Sequence, residues 1–337
     1  MIRLKDIALR AGVSIMTVSK VLRDAPDISA ATKARVRQLA NQMGYVPDFL
    51  AQGLRTRTTK LLGLVVPTSD NPAFGRIVLA VESRAHELGY EIVFAHSLNQ
   101  LEREENVIRR LLSRRVDGML ITPVYRLAPT APIYEELFRR GTPTILLGHP
   151  APFCSKFASI ATEDRVASTA ATQHLIQLGH KRIAFFGGPA AAPWAQERMD
   201  GYRRALREAQ IEIDDRLIFS AGSTIEEGEK TALQMLHESP EATAIQAVND
   251  LVAIGAANML IGQGVKIPQE LSVVGFGNFL PSFYFRVPLT TIGQPKHRLG
   301  IAAMDAMAKM LQGQVVESQR LSGHLIIRNS TTAPANR

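Results

Sequence analysis

Apolar positions in the first 44 residues recur at three- and four-residue spacing; from residue 61 onward, short apolar runs alternate with amphipathic stretches. Three short helices fit the first part. Residues 4–10 put Ile7 and Ala8, with Ala11 beyond, on one face, and Gly12-Val13 turns the chain. Ser14 suits the N-cap of a second helix over 15–23, because its hydroxyl can accept an orphan amide of the first turn. Val18, Val21 and Leu22 form the apolar stripe of that helix, and Ala25-Pro26-Asp27 breaks it. Ser29 is the matching cap for a third helix over 30–43, which would bury Val36, Leu39, Ala40 and Met43 before Gly44 stops it.

The second part reads as two βαβ series. Strands are expected at 61–66, 90–95, 118–121 and 144–147, with helices at 74–88, 102–113 and 133–139. The second series has helices at 167–178, 197–209, 226–237 and 251–263, and strands at 183–186, 217–219, 244–247 and 272–276. Two such series imply two parallel-sheet lobes covered by helices. Ligands of such sheets sit beyond the carboxyl ends of the strands, so two facing lobes would put the crevice between them. Between the two parts lie Phe49-Leu50-Ala51-Gln52-Gly53-Leu54 and the basic linker Arg55-Thr56-Arg57-Thr58-Thr59-Lys60. A helix over 49–54 would have about one and a half turns, which is marginal alone in water.

Charge changes this picture more than bulk composition does. Residues 1–60 hold eleven Lys/Arg and four Asp, a net +7 out of +8 for the whole 337-residue chain. Such asymmetry marks an N-terminal module suited to a polyanion. Helix, glycine-containing turn and helix inside that basic segment form the pattern of a helix-turn-helix DNA-binding domain. The single cysteine, Cys154, excludes an intrachain disulfide and a cysteine-cluster metal site. The start of the chain has no signal-peptide pattern and no stretch is apolar enough for a membrane span. A reducing cytoplasm and no membrane partner are therefore expected. No P-loop, nucleophile elbow or His-Glu-x-x-His pair occurs, so neither an enzyme nor a cofactor is expected.

Specific motifs then add a resemblance. Asp6-Ile7-Ala8, Ala11-Gly12-Val13-Ser14, Thr17-Val18-Ser19-Lys20-Val21-Leu22 and Gly44-Tyr45-Val46-Pro47, followed by Ala51 and Leu54, resemble the lactose-repressor/galactose-repressor family. The likeness continues through Gly63-Leu64-Val65-Val66-Pro67 with Asn71-Pro72, Arg115-Val116-Asp117-Gly118 and Leu178-Gly179-His180-Lys181-Arg182-Ile183-Ala184. Asn249-Asp250, Val273-Val274-Gly275-Phe276 and Pro288-Leu289-Thr290-Thr291-Ile292 complete it.

The resemblance implies a three-helix DNA-binding domain at 1–48, a hinge helix and linker at 49–60, and an effector-binding and dimerisation body at 61–337. That body is similar to periplasmic sugar-binding proteins, with lobes at 61–160 plus 293–328 and at 161–292. The helix at 15–23 becomes the recognition helix in a major groove, with Ile15, Met16 and Lys20 toward base edges. Lys20 can donate to guanine but lacks the fork of the arginine common there in relatives. Ile15 and Met16 suit apolar contact such as a thymine methyl. Ser14, Thr17, Ser19, Ser29, Thr32 and Tyr45 are expected at the backbone, although each also suits a cap or turn. The resemblance makes Leu54, beside Ala51, a minor-groove wedge supplied by paired hinge helices. Two departures stand out. Arg3 replaces a frequent threonine cap, a cost of about 1 kcal/mol, and Asp48 replaces asparagine.

For the effector, the resemblance makes Arg198 a ligand clamp and Phe74 a stacking face. Asn71, Asp164 and Asn249 lie at strand-to-helix junctions, with Trp194 and His149 as further candidates. Gly277 stands where relatives commonly carry an aspartate that accepts from ligand hydroxyls, with Asn278 as a partial substitute. The expected effector is a sugar or sugar-derived metabolite, anionic or sparsely hydroxylated rather than a neutral hexose. The implied function is a small-molecule-controlled regulator on double-stranded operator DNA, acting as a homodimer, with a tetramer left open. A transport-type sugar-binding protein and, last, an enzyme are the alternatives.

Overall fold

The computed structural model describes residues 2–45 and 58–335 and divides into two units, residues 1–59 and residues 60–337. The expected hinge helix, with Ala51, Leu54 and Asp48, lies outside the described residues.

The first unit holds α1 (Leu4–Ala11), α2 (Ile15–Leu22) and α3 (Ala30–Gln42). Their apolar stripes meet in a small core of Ile7, Ala8, Ala11, Val18, Val21, Val36 and Ala40, with Leu22, Leu39, Met43 and Tyr45 partly buried around it. Both expected serine caps form: the Ser14 hydroxyl accepts from the Thr17 amide at 3.0 Å, and that of Ser29 from the Thr32 amide at 3.4 Å. Arg3 offers no side-chain cap, but its own amide donates to the Asp6 carboxylate at 2.8 Å. That contact is half of a capping box and offsets part of the missing threonine.

The second unit is two parallel-sheet lobes. The first sheet orders its six strands β11-β5-β4-β3-β1-β2, the second β12-β10-β9-β8-β6-β7. In chain order the first lobe has β1 (Leu61–Val66), α4 (Pro72–Glu87), β2 (Glu91–His96), α5 (Leu101–Ser113), β3 (Gly118–Ile121), α6 (Pro132–Arg140), β4 (Thr144–Leu147) and β5 (Ala158–Thr162). The second continues with α7 (Asp164–Gln177), β6 (Ile183–Gly187), α8 (Pro193–Glu208), β7 (Ile218–Ser220), α9 (Ile225–Glu238), β8 (Ala244–Ala247), α10 (Asp250–Gly262), β9 (Ser272–Gly277), α11 (Leu280–Tyr284) and β10 (Thr290–Gly293). Then α12 (Lys296–Leu311) and β11 (Gln319–Leu321) return to the first lobe, and β12 (His324–Ile326) to the second.

Helices cover both faces of each sheet, which is why the strands read as continuous apolar runs. Leu62, Leu64 and Val66 of β1 face α4 and α12, while Val65 joins the opposite core with Val107, Ile108 and Leu111 of α5. In the second lobe Phe186 and Phe185 divide in the same way between two cores.

The expected strands and helices are present with ends shifted by a few residues, but the pattern reading omitted β5, β10, β11, β12, α11 and α12. The resemblance placed 293–328, in rough bounds, with the first lobe. Instead β12 pairs antiparallel with β10 in the second sheet, and the tail follows it: the Val273 amide donates to the Ser330 carbonyl at 2.8 Å. The chain thus crosses between lobes after β5, after β10 and after β11. No helix among the described residues is long and apolar enough to cross a membrane.

Candidate functional site

Two surfaces carry the candidate chemistry, one in each unit. On α2, Val18 and Val21 turn inward, so Ile15, Met16, Ser19 and Lys20 fall on the opposite arc of the same helix. Ile15 is 53 % exposed and Met16 69 %, so the two present apolar surface on the same face as Lys20. Ser14 and Thr17 share a hydroxyl–hydroxyl bond of 2.9 Å, as do Ser29 and Thr32. Tyr45 packs against the small core and Ser19 holds Arg23 through its carbonyl at 3.1 Å. The Lys20 ammonium is not idle: it donates to the Asp27 carboxylate, and that bond holds Asp27 below the usual carboxylate range. Lys20 must leave Asp27 to reach a base. Asp24 takes both Lys33 and Arg37, whereas Lys5, Arg10 and Arg35 are exposed and make no ion pair among the described residues.

The second surface is a cavity of about 210 Å³ lined by both lobes. The carboxyl ends of the strands deliver its walls, as expected for open parallel sheets. From the first lobe come Asn71 and Phe74 after β1, Thr122 and Tyr125 after β3, and His149 after β4. From the second come Trp194 and Arg198 on α8, Ser223 after β7, Asn249 after β8 and Phe279 after β9. Asp164, Gln294 and Lys296 stand where the chain crosses from one lobe to the other.

Arg198 is the most heavily engaged of these. Its Nε and Nη2 donate to Asp164 Oδ2 at 3.1 and 2.8 Å, and its Nη1 to the Val248 carbonyl at 2.6 Å. The guanidinium lies 3.7 Å from the Phe276 ring centroid and 4.8 Å from that of Trp194. Complete burial pulls its pKa down and the Asp164 charge opposes that pull. Asp164 also accepts from Thr162 and, at 3.5 Å, from Gln294. Asn71 and Asn249 each use their side-chain oxygen to cap a helix, accepting from Ala73 at 2.9 Å and Val252 at 2.8 Å. His149 Nε2 lies 3.2 Å from Glu197, which also takes Arg320 at 2.7 and 2.8 Å. Burial pushes Glu197 up, but its bonds to His149 and Arg320 outweigh that and hold it at about 2. Glu197 on α8 thereby ties the second lobe to β4 and β11 of the first.

Seven of the eight effector candidates line this cavity: Asn71, Phe74, His149, Asp164, Trp194, Arg198 and Asn249. Asn278 does not. Its backbone is left-handed at φ 52°, and its side-chain oxygen accepts from Arg328 Nη2 at 2.6 Å. The residue that answers Gly277 is Phe279. A Cβ on Gly277, whose φ is +135°, would sit 2.4 Å from the Phe279 ring, so the ring fills the space where a side chain at 277 would begin. The Arg198 charge is already matched by Asp164, and His149 faces Glu197.

Lys296 was missed. It opens α12, is 6 % exposed, donates to the Gly277 carbonyl and lies 4.7 Å from the Phe279 ring centroid. Burial pulls its pKa down to about 8. The available signal was a lysine directly after Gln294-Pro295, where an apolar helical stripe (Leu299, Ala303, Met304, Met307) begins. No group of three or more His, Cys, Asp or Glu side chains among the described residues is placed to hold a metal.

Comparison with known proteins agrees with this architecture. Residues 3–48 match the family model described as bacterial regulatory proteins, lacI family. Residues 59–328 match that of periplasmic binding proteins and the sugar-binding domain of the LacI family. The transcriptional repressor CytR of Escherichia coli K12 is 32 % identical over 332 residues, covering 98 % of this chain and 96 % of CytR. The repressor PurR of Vibrio atlanticus is 31 % identical across the full length of both chains. Among solved structures, the lac repressor dimer bound to operator and the anti-inducer ONPF superposes with a TM-score of 0.88 at 30 % identity, covering 98 % of this chain and 99 % of that one. With a helix-turn-helix unit that exposes an apolar and basic face, a two-lobed body around a cavity, and these matches over both, the chain belongs to the LacI family of bacterial transcriptional regulators.

Proposed function

We propose that this regulator represses transcription from a pseudopalindromic operator in the cytoplasm, with a small molecule between its two lobes setting its grip on the DNA. The observation that carries the effector half is the cavity itself. It is lined by side chains from both lobes, among them the buried Arg198–Asp164 pair. A ligand there touches both lobes at once, so it stabilises one of their relative orientations over another. The operator half is supported by the exposed Ile15, Met16 and Lys20 face, and by relatives: CytR and PurR are named as repressors, and the lac repressor was solved as an operator-bound dimer. The cellobiose complex of the regulator CelR supports a sugar or sugar-derived effector.

Two protomers pairing through their bodies would present two recognition helices about 34 Å apart, one turn of duplex. Lobe reorientation would reach the DNA through residues 46–59, where the hinge segment ending in Leu54 would wedge the minor groove. The coupling is reciprocal, so operator DNA changes effector affinity by the same factor as effector changes operator affinity. Fluorescence anisotropy with promoter fragments at low ionic strength tests the reading. Saturable binding that a metabolite releases or tightens is expected; indifference to every fragment, with and without metabolites, removes it. Leu54→Ala and a glycine inserted after Gly53 should each weaken operator binding. Unchanged affinity in both rules out the hinge route.

A further inference from the structure

We propose that the ligand of the interlobe cavity carries a carboxylate read by Lys296 and Thr122, on a ring-shaped body held against Phe74, Trp194 and Phe279. The inference rests on the reading of this cavity as the effector site and names the effector's chemistry.

A charge inventory of the cavity leads to it. Asp164 consumes Arg198, and Glu197 faces His149. Lys296 is different. Its ammonium has three donors, and its protein contacts are the Gly277 carbonyl and the Phe279 ring face. No carboxylate among the described residues lies within ion-pair distance of it. Asp250 acts on it through space, but the oxygens of that buried carboxylate are taken by the Phe279 amide at 2.7 Å and by the Thr291 hydroxyl. Arg76 and Arg198 add positive potential at the same point. A buried cation whose nearby carboxylate bonds elsewhere, and which has donors to spare, gains from a further anion that meets it.

A second group points the same way. Thr122 lines the cavity and is only 8 % exposed, and its buried hydroxyl has no hydrogen-bond partner among the described residues. Buried hydroxyls are normally satisfied, so an orphan on a cavity wall marks where a ligand atom completes the network. Lys296 is also the first residue of a 16-residue helix, whose amino end favours negative charge. One ammonium and one hydroxyl match the charge and two oxygens of a carboxylate. A phosphate dianion is better served by a free arginine fork, and the fork of Arg198 is committed.

Gly277 completes the argument. A carboxylate at that position would stand beside Lys296 and repel an acidic ligand. With glycine there, the Phe279 ring takes the space and joins Phe74 and Trp194 in the cavity lining.

The test is calorimetric titration of the full-length protein with hexuronates, aldonates and aromatic carboxylates. Each is paired with its uncharged alcohol, aldose or amide, and hexose phosphates form a third arm. Lys296→Gln and Thr122→Val are titrated in parallel after thermal denaturation confirms that each is folded. Carboxylates should bind at least about tenfold more tightly than their uncharged partners. Lys296→Gln should abolish that difference, and Thr122→Val should weaken carboxylate binding. Equal affinity for neutral compounds, preference for phosphates, no carboxylate binding, or indifference to Lys296→Gln each overturns the assignment. Operator binding measured on the same preparation keeps the two readings apart. A neutral compound that shifts operator affinity leaves the regulator standing and removes the carboxylate. Lys296-dependent carboxylate binding by a protein that ignores DNA does the reverse.

Discussion

Replacing Asp164 by asparagine isolates its interaction with Arg198 in the cavity lining. Asp164 is 1 % exposed at its side chain and Arg198 8 %, so water screens neither charge. Asparagine keeps the shape and one acceptor oxygen but leaves the guanidinium buried without its counter-charge. Removing one partner of a buried pair costs about 3–5 kcal/mol. Arg198 retains the Val248 carbonyl at 2.6 Å and the faces of Phe276 and Trp194, so the lower part of that range applies, about 3–4 kcal/mol. For a body of this size that lowers Tm by about 5–10 °C. Urea unfolding followed by circular dichroism measures it, and the double variant Asp164→Leu/Arg198→Met decides its origin. If the penalty is an uncompensated charge, the double variant recovers at least about half of the loss, because an apolar pair needs no counter-ion. A single variant within about 0.5 kcal/mol of wild type, or a double variant as unstable as the sum of its parts, refutes the reasoning.

Acid should weaken the body through His174 and His180, since burial lowers the pKa of both. Each stays neutral when folded and binds a proton on unfolding, so its stabilisation is complete above about pH 6.5 and declines as pH falls toward the lowered folded value, with a limiting slope of about 1.4 kcal/mol per pH unit per histidine. His180 donates from Nε2 to the Thr332 carbonyl at 2.8 Å, and His180→Gln should flatten the profile of urea midpoints between pH 5 and 7; an unchanged slope rejects the assignment. In α10, a Cβ at Gly255 would lie 2.0 Å from the Ile225 carbonyl oxygen, so Gly255→Ala should cost about 1–3 kcal/mol or more, whereas Gly262→Ala, with open space around it, should be neutral or stabilising. Equal denaturation midpoints for the two would show that α9 and α10 do not need this close approach. At the recognition face, Lys20→Ala should change base preference at one position per half-site, and Met16→Ala should relax discrimination at a thymine; selection from a randomised operator library would show both, and a uniform loss of affinity without a change of preference would assign them to backbone contacts.

The helices, strands and caps of this protein are written locally. Ser14 and Ser29 cap because each precedes a helical apolar stripe by one position, and β1 is apolar throughout because both faces of its sheet are covered. Those features need only neighbours along the chain, and so a period of 3.6 or of 2 reveals them. Asn249, at the carboxyl end of β8, was legible for the same reason, since the end of a parallel strand is a position that the pattern itself marks, whereas Phe74 and Arg198 were legible only through the family resemblance. Tertiary structure decided the rest. β11 and β12 have three residues each, too few for a period, and pairing with β5 for the one and with β10 for the other assigns them to opposite lobes. Whether a charge is spent or available depends on partners distant in sequence: Asp164 meets Arg198 across 34 positions, while Lys296 meets no carboxylate at all among the described residues. No local pattern encodes which of two cations will find an acid, because that is settled only when the lobes pack and the energy of each buried charge depends on what packs beside it.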